Sequence, residues 1–339
     1  MIEQGLAEPL EAVEPAELRR ADHADVAMLV ASRGDRALVH ARFPELWRFL
    51  RPGDLLVVNT SATLPAALPA RLDGEKVVLH LSTPVDEASW VVELRTAERW
   101  PFRGPGTGAR LELPAGAHVG LLAPYLASTR LFVARLSLGE PVLDYLRRHG
   151  HPVRYRHTPE EWPIDAYQTV FALHPGSAEM PSAARPFSAD LVTGLVARGV
   201  LFAPVTLHAG VSSLELGESP YPERYRVPAA TARLVNSVRE WGGRVIAVGT
   251  TVVRALETVA APDGAVTAGE GLTSLMVTPE RGLRALDGLL TGWHEPRSSH
   301  LELMEAAAGP ELLRRSYEAA QAHGYRFHEF GDSHLILPA

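Results

Sequence analysis

A glycine and two hydroxyl side chains stand where a strand turns into a helix. A short apolar run ends in Gly249, Thr250 and Thr251, and helix-forming residues follow. The first backbone N–H groups of a helix have no partner within it, and the helix dipole adds positive potential. This turn is therefore suited to bind a carboxylate or a phosphate. The alternative is an ordinary strand-to-helix turn, with Arg254 and Glu257 paired on the helix surface.

A histidine follows the next predicted strand, residues 200–207. His208 comes at its end and is followed by Ala209 and Gly210. Open α/β sheets bind their ligands at the carboxyl ends of parallel strands, and an imidazole accepts a proton near neutral pH. His208 is thus a candidate base, the alternative being a histidine whose hydrogen bonds are satisfied by the nearby backbone.

Two further segments combine aromatic and charged residues. Trp293, His294 and Arg297 lie in one short loop, which could stack on a base and hold an anion, or simply lead into a helix capped at Ser298 or the next residue. Residues 325–332 alternate aromatic and charged side chains, which is typical of an edge strand as much as of a binding site.

The pattern of short strands and turns in residues 62–138 predicts a small all-β domain. An Asp73-Gly74 turn separates two strand-like segments, and Pro and Gly punctuate the stretch that follows. Further short strands are predicted at 77–81, 90–94, 110–113 and 131–136. We expect residues 62–138 to form an inserted sandwich or barrel.

The remainder predicts an α/β body, residues 1–61 and 139–339, in which strands and helices alternate. That rhythm favours right-handed crossovers and a mainly parallel sheet. The strands are predicted at 55–58, 200–207, 245–248 and 333–337. The helices are predicted at 189–198, 229–241, 250–260, 301–307 and 311–322. Residues 1–25, rich in Ala, Glu and Pro, are expected to be a loose arm.

Composition narrows the classes of function. The chain has 339 residues, 46% of them apolar and 22% charged, which is a globular composition sufficient for about two domains. With 33 basic and 40 acidic residues the net charge is -7. The overall charge therefore gives no indication that the protein binds nucleic acid. Absence of Cys excludes thiolate catalysis and disulfides, and no zinc or Walker motif occurs. No signal peptide or membrane span is expected, and we anticipate a cytoplasmic protein.

The same segments resemble those of the S-adenosylmethionine:tRNA ribosyltransferase-isomerase family of queuosine synthesis. They match in one consistent order from Pro52 to Ile336. The matching segments are 52–60 (PGDLLVVNT), 167–172 (YQTVFA), 205–210 (VTLHAG), Glu223 with Tyr225, 248–251 (VGTT) with Arg254 and Glu257, Thr291 with His294, Pro296 and Ser298, and 325–327 (YRF) with 331–332 (GD). Members of this family have an α/β body with an inserted β-barrel, in agreement with the pattern described above.

The chain also departs from the family at several places. Where the family has PTAGLHFT, residues 181–188 read PSAARPFS, without its Gly and His. The family's GAGTF is GVSSL at 210–214, Tyr221 replaces a usual His, and the Lys of its PKST loop is Arg297. The N-terminal Arg-Asp pattern is represented by His23, Ala24 and Asp25.

The resemblance implies that S-adenosylmethionine donates its ribosyl carbons rather than its methyl group. A base removes a C5′ hydrogen acidified by the sulfonium, and adenine and methionine leave as the group passes to 7-aminomethyl-7-deazaguanine in tRNA. The resemblance assigns His208 or Glu223 as the base and His294 as proton donor or sugar contact. The implied cofactor contacts are Gly249, Thr250, Thr251, Arg254, Tyr167 and Gln168. No metal is expected.

The departures leave two alternatives open. In one, the same S-adenosylmethionine chemistry serves a small-molecule acceptor, which the acidic balance and the altered motifs permit. In the other, the protein is a catalytically silent relative that binds a nucleoside or RNA. We expect a monomer that binds S-adenosylmethionine and either tRNA or a small molecule, with no membrane partner.

Overall fold

The computed structural model of the protein describes residues 10–19, 26–102, 106–126, 128–211, 220–294 and 299–338. The first strands are β1 (Leu10–Glu11), β2 (Ala27–Ser32), β3 (Leu38–Arg42), β4 (Leu55–Asn59) and β5 (Ser61–Thr63). Next come β6 (Ala67–Leu72), β7 (Glu75–Pro84), β8 (Ser89–Thr96), β9 (Arg110–Glu112), β10 (His118–Pro124) and β11 (Leu131–Ser137). The later strands are β12 (His174–Ser177), β13 (Leu201–Leu207), β14 (Glu223–Val227), β15 (Val245–Val248), β16 (Gly269–Thr273), β17 (Gly288–Gly292), β18 (Arg326–Phe327) and β19 (Ser333–Leu337). The helices are α1 (Ala16–Arg19), α2 (Val142–His149), α3 (Ala189–Ala197), α4 (Ala229–Glu240), α5 (Thr250–Thr258), α6 (Ser299–Ala308) and α7 (Pro310–Ala322).

Strands β6 to β11 close into an antiparallel barrel, which confirms the β-barrel expected from the sequence. The strand order around it is β10-β11-β8-β7-β6-β9. Asp73 and Gly74 join β6 to β7 with positive φ angles of 50° and 86°, as a two-residue hairpin turn requires. The sequence missed β10, because its ladder shifts register between Leu121 and Ala123 and its last three residues are exposed.

The body is built on a nine-stranded sheet with the order β16-β14-β13-β4-β15-β17-β19-β2-β3. Its centre, from β13 through β4 and β15 to β17, is parallel, as the alternation of strands and helices predicts. Towards both edges the sheet is mixed: β14, β16 and β3 pair antiparallel, while β19 is antiparallel to β17 and parallel to β2. The fold is thus α/β with antiparallel edges.

Both faces of the sheet are buried at its centre. In β4, Leu55 and Val57 join the core beneath α4 to α7, whereas Leu56 and Val58 join the opposite core with α3. The N-terminus of α3 is capped as predicted, because Ser188 Oγ accepts a hydrogen bond from the Leu191 N–H at 3.1 Å. No helix in the described part of the chain is long and apolar enough to cross a membrane.

The topology brings the candidate site residues to one end of the sheet, where the central strands have their carboxyl ends. Because β4, β15 and β17 are parallel, they all end on the same side of the sheet, at Asn59, Val248 and Gly292. The chain leaves β4 at this end, passes through β5 and forms the barrel. The barrel therefore sits beside the carboxyl ends of the central strands, and a cavity lies between them.

The expectation of a loose N-terminal arm is wrong for the part that the structure describes. Strand β1 pairs parallel to β18, Ala12 and Ala16 are fully buried, and Glu17 forms an ion pair with Arg185 at 2.7 Å. The attachment depends on backbone pairing and on small alanine side chains, which leave no periodic signal in the sequence. Residues 1–9 and 20–25, including the His23-Ala24-Asp25 match, lie outside the described residues.

Candidate functional site

The cavity between the sheet ends and the barrel has a volume of about 590 Å³, within the range of small-molecule sites. One wall, which we call the sheet-end wall, is formed by residues 249–251, 291–294, His300 and the segment 220–223. The opposite wall, which we call the barrel wall, is formed by Ser82, Thr83, Arg95, residues 99–101, Val153 and residues 155–157. Functional groups from distant parts of the sequence therefore face one space.

The turn between β15 and α5 has the geometry of an anion site. Gly249 adopts φ 99° and ψ 153°, a conformation open essentially to glycine alone. Its carbonyl accepts the N–H groups of Val252 and Val253, but no acceptor for the N–H groups of Thr250 and Thr251 is found among the described residues. Both residues line the cavity, so two backbone donors at a helix N-terminus are available to a ligand.

Asn59 holds this corner against the neighbouring strands. Its amide exchanges two hydrogen bonds with the backbone of Leu207, at 2.8 and 3.0 Å, and it donates to Thr251 Oγ1 at 3.1 Å. Asn59 is completely buried, so each of these bonds is made away from water. The sequence comparison included Asn59 in a matching segment without assigning it this positioning role.

Arg254 and Glu223 form an ion pair on the sheet-end wall. The Glu223 carboxylate also accepts the Gly210 N–H at 2.9 Å, and Arg254 donates to the carbonyl of Thr273 at 3.0 Å. Because each charge is neutralised by the other, the pair braces the wall. Glu223 is not poised as a solitary base, and Arg254 is not a free clamp for a carboxylate.

The alternative surface pair of Arg254 with Glu257 is wrong. The side chain of Glu257 is fully buried and binds Arg281 at 2.6 Å together with the N–H groups of Arg284 and Ala285. Glu257 points away from the cavity and anchors the loop that precedes β17. The spacing of three residues placed both side chains on one helix, but different packing partners draw them apart.

His208 does not reach the cavity. Side chains alternate across a strand, so Val205 and Leu207 enter the core of the body while Thr206 and His208 face the other side. There His208 lies in a separate outer groove with His174 and Arg224. Its Nδ1 is 2.7 Å from Ser61 Oγ, and burial lowers its pKa. The position at a strand end was predicted correctly, but the strand alternation decides which space the ring faces.

His294 lies on the sheet-end wall beside a second histidine, His300. The rings stack at 4.4 Å with an interplanar angle of 3°, and His294 Nε2 is 3.2 Å from Thr291 Oγ1. Burial lowers the pKa of His294 well below 6.5, and burial together with Arg254 lowers the pKa of His300 to about 4. Both rings are therefore neutral at pH 7, and the lowered pKa makes each of them a weak base. Pro296 and Ser298, which completed the sequence match here, lie outside the described residues.

Tyr167 and Gln168 are neighbours in sequence with different surroundings. The Tyr167 hydroxyl is buried against the cavity with no hydrogen-bond partner among the described residues, and burial raises its pKa. The Gln168 amide makes two hydrogen bonds with the backbone of Thr63, at 2.9 and 3.0 Å, and does not line the cavity. Tyr167 thus has an unused polar group in the cavity, whereas Gln168 fixes the chain where it enters the barrel.

Trp293 is part of the core and does not offer a stacking surface. It is 1% exposed, and His334 stacks on it at 4.5 Å with an angle of 10°. The aromatic surface of the cavity comes instead from Tyr155 and Tyr221, and from the exposed Trp100 at the rim, over which Arg156 lies at 3.7 Å.

A charged network behind the barrel wall was not predicted from the sequence. Glu93 is completely buried and accepts hydrogen bonds from Arg95, at 2.9 and 3.0 Å, and from Arg130 at 2.8 Å. Burial raises the pKa of Glu93, but His80 and Arg95 outweigh it and lower the value to about 2. Arg95 also lies 5.0 Å from the ring of Tyr155, so the network supports the cavity wall.

The chain is similar to known proteins over almost its whole length. A family model described as queuosine biosynthesis protein matches residues 4–336. The chain belongs to that family. The S-adenosylmethionine:tRNA ribosyltransferase-isomerase of Geobacter sulfurreducens is 37% identical with 85% of both chains covered, and that of Symbiobacterium thermophilum is 36% identical over 98% of this chain and 97% of its own. A crystal structure described as an S-adenosylmethionine tRNA ribosyltransferase from Thermotoga maritima is 28% identical, with a TM-score of 0.55 and 99% of each chain covered.

Membership of the queuosine biosynthesis protein family confirms the resemblance identified from the motifs. Segments that match and segments that depart from the family pattern line the same cavity. Thr250 and Thr251 belong to a matching segment, while Ser182, Ala183 and Tyr221 belong to departing ones. The departures therefore alter the wall of the site and not its location.

Proposed function

We propose that the protein is an S-adenosylmethionine-dependent tRNA ribosyltransferase-isomerase that acts in queuosine synthesis. It transfers the ribosyl carbons of S-adenosylmethionine to 7-aminomethyl-7-deazaguanine in tRNA, leaving an epoxycyclopentanediol on the base. The observation that carries the proposal is the cavity at the sheet ends, lined by family segments and provided with two backbone donors at the start of α5. Such a reaction takes place in the cytoplasm, where tRNA is found, and we propose that the enzyme works as a monomer.

The methionine carboxylate is proposed to bind the N–H groups of Thr250 and Thr251. A carboxylate at a helix N-terminus gains both the hydrogen bonds and the favourable dipole. Gly249 gives the backbone the conformation that presents these donors. Arg254 and Glu223 act as positioning residues, because they brace the wall behind the corner through Gly210 and Thr273.

The proton of C5′ is proposed to pass to His294. A base must face the substrate and be unprotonated at the working pH; this role is supported by the position of His294 on the cavity wall and by its neutral state at pH 7. Thr291 holds its Nε2 side and His300 supports the ring face. This assignment replaces His208, whose ring is turned to the outer groove. The Tyr167 hydroxyl is proposed to contact the sugar or adenine.

The test of the function uses the purified protein with labelled S-adenosylmethionine and tRNA that carries 7-aminomethyl-7-deazaguanine. The expected result is tRNA-dependent release of adenine and methionine, with a matching mass increase on the modified nucleoside. Two outcomes would contradict the proposal. In the first, adenine is released without tRNA; in the second, the protein binds S-adenosylmethionine but releases no adenine. The first outcome would favour transfer to another acceptor, and the second a silent binding protein.

A small-molecule acceptor is the second candidate. It is favoured by Ser182, Ala183 and Tyr221, which alter the wall of the cavity relative to the family pattern. Salt separates the two candidates, because contacts to tRNA phosphates lose affinity steeply as salt rises. Binding of tRNA at low salt that weakens steeply supports the tRNA enzyme, and no binding at low salt supports the small molecule.

A further inference from the structure

We propose that His157, His328 and Glu329 form a binding site for a divalent transition-metal ion such as Zn²⁺ on the wall of the cavity. The three residues come from the segment after the barrel and from the turn before β19, far apart in sequence. Each contributes one ligand atom, and these atoms lie within 4.8 Å of one another. All three residues line the cavity. The inference is independent of the proposed function.

The chemistry of the cluster favours a metal of intermediate softness. Two imidazoles and one carboxylate are a ligand set that binds Zn²⁺ and similar ions and leaves a coordination position open. Glu11 stands beside the cluster, with Oε1 3.8 Å from His328 Nε2. It provides a second carboxylate near the three ligands and lies outside the ligand set.

Neighbouring groups orient the ligands, as outer contacts do in metal sites. Thr158 Oγ1 donates to Glu329 Oε1 at 3.0 Å, which fixes the carboxylate and directs its other oxygen to His157. The rings of His157 and His328 stack at 4.0 Å with an angle of 12°. The side chains of His157 and Glu329 are 14% and 20% exposed, so the cluster is shielded but reachable from the cavity.

An unusual backbone conformation fixes the position of His328. Its φ of 72° is in the left-handed region, which residues other than glycine seldom occupy. The conformation is held by hydrogen bonds from the His328 N–H to Trp293 and from the Gly331 N–H to His328, at 3.2 and 2.9 Å. A Cβ at Gly331 would meet the Arg326 carbonyl at 2.4 Å, so the turn is tightly specified.

Metal binding requires a small contraction of the cluster. Zn²⁺ bonds of about 2.0–2.2 Å set tetrahedral ligand atoms about 3.3–3.6 Å apart, which is closer than the present spread. His157 Nε2 now lies 2.7 Å from Glu329 Oε2, and that hydrogen bond is exchanged for two bonds to the ion. One ring tilts out of the stack, because parallel imidazoles do not direct both nitrogens at one point. The bound ion then offers its open position to a ligand in the cavity.

The experiment measures Zn²⁺ binding to the full-length, chelator-treated protein by calorimetry, with Co²⁺ absorption as a second readout. We expect one equivalent to bind, and His157→Ala and Glu329→Gln each to weaken binding by about tenfold or more. The matched control is His151→Ala, because His151 also pairs with a glutamate, Glu161, at 2.6 Å but is half exposed and outside the cavity. Circular dichroism verifies that each variant is folded.

Binding that is lost in the two cluster variants and kept in His151→Ala supports the site. Absence of stoichiometric Zn²⁺ or Co²⁺ binding to the folded protein overturns the proposal. Binding that is equally strong in His157→Ala and Glu329→Gln also overturns it, because the ion is then held elsewhere. A loss of enzymatic activity in these variants without any metal binding identifies the cluster as a proton-carrying pair and likewise overturns the metal site.

Discussion

The two walls of the cavity are built on opposite physical principles. The sheet-end wall presents backbone N–H groups at Thr250 and Thr251 and neutral rings at His294 and His300. The barrel wall is supported by full charges, with Glu93 and its arginine partners buried behind it. One wall needs a fixed backbone to act, and the other needs each buried charge to keep its partner.

This difference separates the residues that bind the ligand from those that stabilise the fold around it. Backbone donors at the start of a helix depend on the local conformation. A substitution that disturbs this conformation is therefore expected to lower ligand affinity, with a modest loss of stability. Buried ion pairs depend on mutual compensation, so their failure shows first in the free energy of unfolding. Substitutions that are matched across the two walls separate these effects.

The largest expected effect is on the barrel side. Glu93→Gln leaves the buried guanidinium groups of Arg95 and Arg130, 6% and 0% exposed, without their carboxylate. Loss of one member of a buried charge cluster costs about 3–5 kcal/mol in the free energy of unfolding. Urea denaturation followed by circular dichroism measures this value.

Glu112→Gln is the control for that substitution, since Glu112 is an exposed glutamate on the same barrel. It is expected to change stability by no more than about 0.5 kcal/mol. Equal effects of the two substitutions would contradict the claim that the barrel wall depends on compensated charge.

A smaller effect is expected at the sheet-end wall and concerns affinity. Gly249→Ala strains a backbone of φ 99° and ψ 153° and displaces the N–H groups of α5. Loss of one charge-assisted hydrogen bond corresponds to about tenfold in the dissociation constant of S-adenosylmethionine, measured by calorimetry.

Gly309→Ala is a close control. Gly309 also precedes a helix, α7, with φ 79° and ψ 153°, but it does not line the cavity. Both substitutions are expected to lower stability by about 1–3 kcal/mol. Unchanged S-adenosylmethionine affinity in Gly249→Ala would contradict the role given to this corner.

The last expected effects are two separate losses of stability in acid. His300 has a pKa of about 4 when folded against 6.5 when unfolded, so the unfolded state binds the extra proton and stability falls between pH 6.5 and 4. Glu93 has a pKa of about 2 when folded against 4.5 when unfolded, so its contribution is present above pH 4.5 and is lost towards pH 2. His300→Gln is expected to flatten the first slope and Glu93→Gln the second, in urea denaturation repeated across pH. The same slope in a variant and the parent would contradict the assignment.

The sequence predicted the barrel and four strands of the nine-stranded sheet, β4, β13, β15 and β19, because their signals are local. The Asp73-Gly74 hairpin, the Ser188 cap and the apolar strand 245–248 are each specified by neighbouring residues. The Gly249-Thr250-Thr251 turn was located for the same reason, because a strand, a glycine and a helix follow one another.

The rest depended on contacts between distant segments. The groove that His208 faces is formed by β14 and β16, and the partner of Arg254 is Glu223, 31 residues away. The Glu93 network and the His157, His328 and Glu329 cluster join segments that carry no common spacing. Strand alternation in 201–207 was the one available signal for His208, since Val205 and Leu207 are apolar and therefore face the core.

The central claim is that the chemistry takes place between the two walls and not in the outer groove. Adenine release from labelled S-adenosylmethionine, with modified tRNA present, tests it most directly in His294→Asn and His208→Asn. Removal of a general base costs about 10²–10⁴-fold in rate, so we expect that loss in His294→Asn and an unchanged rate in His208→Asn. A parental rate in His294→Asn together with a large loss in His208→Asn would contradict the account.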